Sequence, residues 1–182
     1  LRWNGIDWSQ VPRVTASSLS AIWGSSPGDI WVAGEGGLIW RWDGITWSIV
    51  PSGTMNRIVS LWGSGPKDVW AVGEASTILH WDGTAWRAAI SQATAAPIVG
   101  VWSSVGDVWA AGEKLLRYDG TSWGMVSNPN YVYGIWGSGA RDVWGVGYQG
   151  ALVHYDGANW AVVESPTRNS LLGRSEERRV GK

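Results

Sequence analysis

The segment Ala21–Trp47 returns three more times along the chain. Trp23 recurs as Trp62, Trp102 and Trp136, and Trp31 as Trp70, Trp109 and Trp144. The pair Asp43-Gly44 recurs as Asp82-Gly83, Asp119-Gly120 and Asp156-Gly157. Successive Trp31-type positions lie 39, 39 and 35 residues apart. A fixed period of this size marks a repeat architecture, whose units bury their apolar surface only by packing on one another. Function has to be sought on a scaffold of equivalent units.

Each unit reads as four short strands, A to D. In the first complete unit, strand A is Leu19–Trp23, and Gly24-Ser25-Ser26-Pro27-Gly28 is a turn. Strand B, Asp29–Gly34, is apolar on both faces, as a strand covered on both sides requires. Strand C is Leu38–Trp42 and strand D is Trp47–Val50. Asp43-Gly44 between them is a hairpin signal, because a primed turn needs positive φ at its centre. No segment carries a helical apolar period. Four strands per roughly 40 residues predict an all-β fold of β-propeller type, built of four-stranded antiparallel blades. A β-solenoid has shorter coils, and a sandwich does not repeat.

Four full blades are expected at 19–57, 58–97, 98–131 and 132–170. Residues 1–18 form a partial N-terminal blade, since Arg2-Trp3-Asn4-Gly5-Ile6-Asp7-Trp8 matches Arg41–Trp47 at an offset of 39. Residues 171–173 start a further blade in phase, and Arg174–Lys182 then breaks the pattern. That tail resembles the translation of a sequencing adapter and is expected to be artefactual. The expected object is a propeller fragment, an open arc with uncovered apolar end faces through which it self-associates head to tail.

Composition narrows the function. The net charge of −1 argues against a nucleic-acid partner. No apolar run approaches the roughly 20 residues of a membrane span. There is no cysteine, which excludes disulfides and thiolate metal sites. Phosphate-loop, nucleophile-elbow and metal-ligand spacings are absent, so no cofactor and no metal are expected. The chain has 17 Trp and no Phe, and all its tryptophans but Trp40 recur in phase, which makes tryptophan first a packing residue.

Val69–Glu74, Thr77–His80 and Asp82-Gly83-Thr84-Ala85-Trp86 resemble the BNR or Asp-box-like propellers, which include sialidase-type blades and blades similar to photosystem II assembly factors. In the Asp-box pattern one residue separates Asp from Gly, whereas here they adjoin. Trp42-Asp43 and Trp81-Asp82 fit a WD dipeptide, but the third and fourth units have Tyr-Asp and none has the Gly-His partner. The resemblance implies a bacterial-like, exported or cell-surface protein. It also brings in a glycan-binding lectin or a sialidase-like glycoside hydrolase as an alternative function. Sialidase-type chemistry uses an arginine cluster, a Tyr nucleophile and carboxylates, and no such set stands out, so no catalytic residue is assigned.

Three ladders of charged residues recur. The turn aspartates Asp43, Asp82, Asp119 and Asp156 are expected to shape hairpins. Asp29, Asp68, Asp107 and Asp142 precede strand B and are expected to cap the A–B turn. Arg41, His80, Arg117 and His154 end strand C, and folding B on C places them opposite Trp31, Trp70, Trp109 and Trp144. Each is expected to stack on its indole, within about 6 Å for the arginines.

The remaining candidates lie on the B–C and D–A connections, which vary while the other two turns barely change. They are Glu35, Glu74, Glu113 and Tyr148 on the B–C side and Arg57, Asn130 and Tyr131 on the D–A side, with Met55 and Asn56 nearby. The expected function is a non-catalytic binding or scaffold module that takes a protein or glycan on this face. The change from Glu to Tyr at position 148 breaks the symmetry of the ring where an off-centre site would need it.

Overall fold

The computed structural model describes residues 2–3, 5–9, 15–89, 96–104, 106–126 and 131–173. Asn130 and the tail Arg174–Lys182 lie outside the described residues. The first hairpin pairs β1 (Arg2–Trp3) with β2 (Trp8–Ser9). Four antiparallel sheets follow, each built of four strands consecutive in sequence. Blade 1 holds β3 (Leu19–Ser26), β4 (Asp29–Gly34), β5 (Ile39–Trp42) and β6 (Trp47–Ile49). Blade 2 holds β7 (Ile58–Gly65), β8 (Asp68–Gly73), β9 (Ile78–Trp81) and β10 (Trp86–Ala88). Blade 3 holds β11 (Ile98–Ser104), β12 (Asp107–Gly112), β13 (Leu115–Tyr118) and β14 (Trp123–Val126). Blade 4 holds β15 (Val132–Gly139), β16 (Asp142–Gly147), β17 (Leu152–Tyr155) and β18 (Trp160–Val162). The A strands pack in succession, β3 on β7, β7 on β11 and β11 on β15, which is the arrangement of β-propeller blades around an axis.

The core lies between blades and not within them. Trp31 from blade 1 enters blade 2, with its ring 4.9 Å from that of Trp81 and 5.4 Å from that of Trp86. The joint repeats with Trp70 against Tyr118 and Trp123, and with Trp109 against Tyr155 and Trp160. These tilted and edge-on contacts suit the ring quadrupole and contribute about 0.5–1.5 kcal/mol each beyond the area they bury. Trp31, Trp70 and Trp109 are all but fully buried, whereas Trp144 of blade 4 is half-buried. A second set of indoles packs along the A strands. Trp23 lies over Gly63 of blade 2 and Trp102 over Gly137 of blade 4. At the middle joint Ser103 replaces the glycine, and Trp62 donates its indole N–H to the Ser103 carbonyl at 3.0 Å.

Two local features differ from the expected ones. The A strands run on past Trp23 to Ser26, through a β-bulge between Gly24 and Ser26 that recurs in blades 2 and 4. The C–D hairpin has the four loop residues left between the expected strands, but a side chain closes it in place of a primed turn. Asp43 Oδ1 accepts the N–H groups of both Ile45 and Thr46 at 2.8 Å, and Gly44 beside it has φ of +98°. The side chain does the work of a main-chain carbonyl, and the same loop closes all four blades. In blade 3 the Thr121 hydroxyl and two N–H donors hold the Asp119 carboxyl down at about 2.

Gly63 offers a direct check on the joint. A Cβ there would sit 2.6 Å from the Asp68 carbonyl and 2.8 Å from the Trp23 ring, whereas one at Gly65 would meet nothing within 4 Å. Gly63→Ala is expected to lower stability by about 1–3 kcal/mol. Gly65→Ala should change it by less than about 0.5 kcal/mol. Urea unfolding followed by tryptophan fluorescence measures both, and equal losses would mean that the indole does not press on Gly63.

Candidate functional site

The aspartate that opens strand B is the hub of each blade and not merely a turn cap. Asp29 Oδ2 accepts the Ser25 hydroxyl at 2.6 Å, and its Oδ1 accepts Arg41 Nε at 2.8 Å. Asp107 takes Arg117 in the same way at 2.8 Å. In the other two blades the strand C partner is histidine: His80 Nε2 lies 2.7 Å from Asp68 Oδ1, and His154 Nε2 lies 2.8 Å from Asp142 Oδ1. A carboxylate only accepts, so Nε2 carries the proton. Ser64 donates to Asp68 and Ser138 to Asp142, and the indole N–H groups of Trp70 and Trp144 donate to the same carboxylates. The bulge in the A strand turns these serines onto the aspartate. Blade 3 has a turn one residue shorter and no bulge there, and Ser104 has no partner among the described residues.

The stacking expected for strand C is present. The Arg41 guanidinium lies 4.9 Å from the Trp31 ring centre and that of Arg117 5.3 Å from Trp109. His80 and His154 stack on Trp70 and Trp144 at 4.2 Å. Serine, aspartate and histidine therefore meet twice, but the aspartate stands at the centre. The serine hydroxyl donates to the carboxylate, whose own pKa its several donors lower, which makes it a poor base for activating that hydroxyl. Chemically the cluster is a clamp between strands A, B and C. What sequence reasoning missed is that Ser25, Ser64, Ser104 and Ser138 recur four residues before the aspartate, or three in blade 3.

On the opposite rim the B–C and D–A connections are tied together. Glu35 N–H donates to the Ser18 carbonyl, Glu74 N–H to Arg57 and Tyr148 N–H to Tyr131, all within 3.0 Å. Glu35, Glu74 and Glu113 are exposed, and so is Tyr148. The Glu35 carboxylate turns back toward Ser18 N–H at 3.4 Å. Arg57 donates through Nε and Nη2 to Ser20 of blade 1, at 3.0 and 2.8 Å, and no ion pair joins it to the glutamates among the described residues. Met55 is 82% exposed, and Asn56 is held by Thr77.

Blade 4 brings candidates together. Tyr131 contacts Tyr133, a residue the sequence reading did not single out, with ring centres 5.0 Å apart. Burial, Tyr133 and the Glu113 carboxylate of blade 3 raise the Tyr131 hydroxyl above its ordinary value. Tyr133 also borders a cavity of about 520 Å³ along the A strands of blades 2 to 4. Ala75, Ser76 and Gln149, in the B–C turns of blades 2 and 4, have left-handed backbones that blade 1 assigns to Gly36 and Gly37.

No protein-family model and no curated protein sequence matches the chain. Solved structures do. A structure of YCF48 bound to D1 peptide is similar over 89% of this chain and 58% of that one, with 16% identity and a TM-score of 0.65. A chain of a nidogen/laminin complex is similar over 87% of this chain and 68% of that one, with 11% identity and a TM-score of 0.67. The fold is a β-propeller. The chain spans 58% of the length of the YCF48 structure.

The hub predicts an acid dependence. The His80 hydrogen bond foremost, with that of Ser64, holds the Asp68 carboxyl below the usual range, and Ser138 and His154 do the same for Asp142. A depressed folded value stabilises the fold fully above the unfolded value of about 3.9, and that contribution is lost as pH falls through the folded value. The chain should lose stability below about pH 4, and Asp68→Asn with Asp142→Asn should flatten that limb while lowering stability at neutral pH. Urea midpoints measured across this range test it, and an unchanged slope in the double variant would refute the role.

Proposed function

We propose that the chain is a non-catalytic binding or scaffold module whose partner, a protein or peptide, docks on the rim of B–C and D–A connections. The observation that carries this is the contrast between the two ends of the blades. At one end four Asp-Gly loops fold alike, offering every blade the same surface. At the other, the candidates are Glu35, Glu74, Glu113 and Tyr148 with Arg57, Asn130 and Tyr131. Glutamate gives way to tyrosine in blade 4, the D–A residues change from blade to blade, and hydrogen bonds tie the two connections together in blades 1, 2 and 4. The similar propellers were solved with a peptide and in a protein complex, which supports a protein partner over a small substrate.

The competing reading is a glycan-binding or sialidase-like propeller of the BNR or Asp-box-like kind. It needs free arginines for a substrate carboxylate. Arg41, Arg87 and Arg117 are committed to Asp29, Asp82 and Asp107, and Arg57 to Ser20, while Arg141 beside Gly157 and Arg168 beside Gly150 lie at opposite ends of blade 4 and form no cluster, which favours the binding module. Self-association, if it contributes, takes the form of one more blade joint. Trp136 and Trp144 of blade 4 are the residues that would enter, and Gly24, Trp42 and Trp47 of blade 1 are those that would receive them. The proposal keeps the unit division 19–57, 58–97, 98–131 and 132–170.

The test is selection of peptides from a displayed random library against the purified chain, followed by affinity measurement on variants. Glu74→Gln with Tyr148→Ala on the rim is expected to weaken binding about tenfold or more. Ile45→Ser, an exposed change on an Asp-Gly loop, should leave it unaltered. The reverse pattern would place the partner on the other end of the blades.

A further inference from the structure

Two guanidinium sites inside the chain share one design. Arg41 lies between Trp31 and Trp81, at 4.9 and 5.6 Å, with the Asp29 carboxylate on its Nε. The two indoles are 4.9 Å apart and tilted by 59°. Arg117 lies between Trp109 and Tyr155, at 5.3 and 5.6 Å, with Asp107 on its Nε. Those rings are again 4.9 Å apart, tilted by 56°. Each site is thus a pair of tilted rings from adjoining strands or blades, with one carboxylate beside them.

The rim of blade 4 presents the same set of groups without a cation. Tyr131 and Tyr133 have ring centres 5.0 Å apart and a tilt of 41°. Glu113 is exposed on the B–C connection of the neighbouring blade, and its charge helps to raise the Tyr131 hydroxyl. Among the described residues no guanidinium or ammonium lies over either tyrosine. Tyr148, half exposed, is tied to the pair through its N–H on the Tyr131 carbonyl at 2.9 Å.

The other blades show that this is a departure and not part of the scaffold. Where blade 4 has Tyr131, Tyr133 and Tyr148, blade 1 has Ser18, Ser20 and Glu35, and blade 2 has Arg57, Val59 and Glu74. Blade 3 has Pro97, Val99 and Glu113. Three positions that no other blade fills with an aromatic residue all become tyrosine; the rings of Tyr131 and Tyr133 meet, and the backbone of Tyr148 is joined to that of Tyr131. The fold does not need them, since three blades form without them.

We propose that Tyr131, Tyr133 and Tyr148 with Glu113 form an open site for a cationic side chain, an arginine or lysine of a partner peptide. The claim rests on the binding-module reading and gives it a chemistry. In both internal sites the guanidinium rests against two tilted rings at once, at the open side of the pair, whereas a sugar ring stacks on a single flat face, and the carboxylate supplies the counter-charge. The cavity beside Tyr133, lined by Trp62, Val99, Val101, Ile135 and Trp136, takes the aliphatic stem or an apolar neighbour in the peptide.

The test uses the whole chain with ring-labelled tyrosine and two probes, N-acetyl-arginine amide and its neutral isostere N-acetyl-citrulline amide, followed by nuclear magnetic resonance. The arginine probe is expected to shift the Tyr131, Tyr133 and Tyr148 signals saturably, and citrulline is not. Glu113→Gln should weaken the response about three- to tenfold. Tyr133→Val, which restores the residue of blades 2 and 3 and so keeps the fold, should remove it. Equal response to citrulline, response to methyl glucoside in place of arginine, or no response to any probe would each overturn the proposal. Library peptides that bind the rim with no recurrent Arg or Lys, and that tolerate Tyr133→Val, would also overturn it while leaving the binding module standing. Saturable arginine binding with no peptide selected at all would uphold the site and sink the broader reading.

Discussion

Everything in this molecule depends on one joint, the insertion of a strand B tryptophan between two aromatic rings of the following blade. Trp31, Trp70 and Trp109 make the same insertion three times, and around each gather the small and branched residues of the interblade core. A four-stranded sheet of this size has two faces and too few residues to bury either alone. Stacking solves the problem once per repeat, with a residue large enough to span the gap. The aspartate hub serves that joint, because it fixes the strand C cation or imidazole that backs the indole.

The sequence and the structure agree most closely where a residue type recurs in register. Phase alone placed the four strands, the pairing of Trp31 with Arg41 and of Trp70 with His80, and the stack each pair makes. What phase could not reveal was the sharing of one acceptor by several donors. Asp68 looked like a turn residue because its sequence neighbours are a turn, whereas its decisive partner, His80, is twelve residues away on another strand. The bounds of the loop after strand C were legible, but its closure was not: Asp43-Gly44 is the signal of a primed turn, and the aspartate side chain closes the loop instead.

The candidate rim was legible only in outline. That B–C and D–A connections share an end follows from alternating strand direction, and the hydrogen bonds between them bear this out. Glu35, Glu74 and Glu113 drew notice as a repeated charge, yet each belongs to its own blade, and the Glu35 carboxylate turns toward Ser18. Tyr133 drew none, because a tyrosine in a strand reads as packing. Phase sets it against Ser20, Val59 and Val99, each three residues before its tryptophan, but its ring contact with Tyr131 appears only in the fold.

Arginine and histidine alternate along the strand C ladder, and the two reach different distances. Arg41 and Arg117 extend across the joint to rings of the next blade, whereas His80 stays on its own Trp70. Blades 1 and 2 are therefore cross-linked by a guanidinium, as are blades 3 and 4, and the middle joint is not. Under tension applied at the two ends, such a ladder has a grain. The middle joint keeps the Trp70 insertion and the Trp62 hydrogen bond to Ser103 but has no guanidinium across it, so it is the place where the chain would part into two doublets.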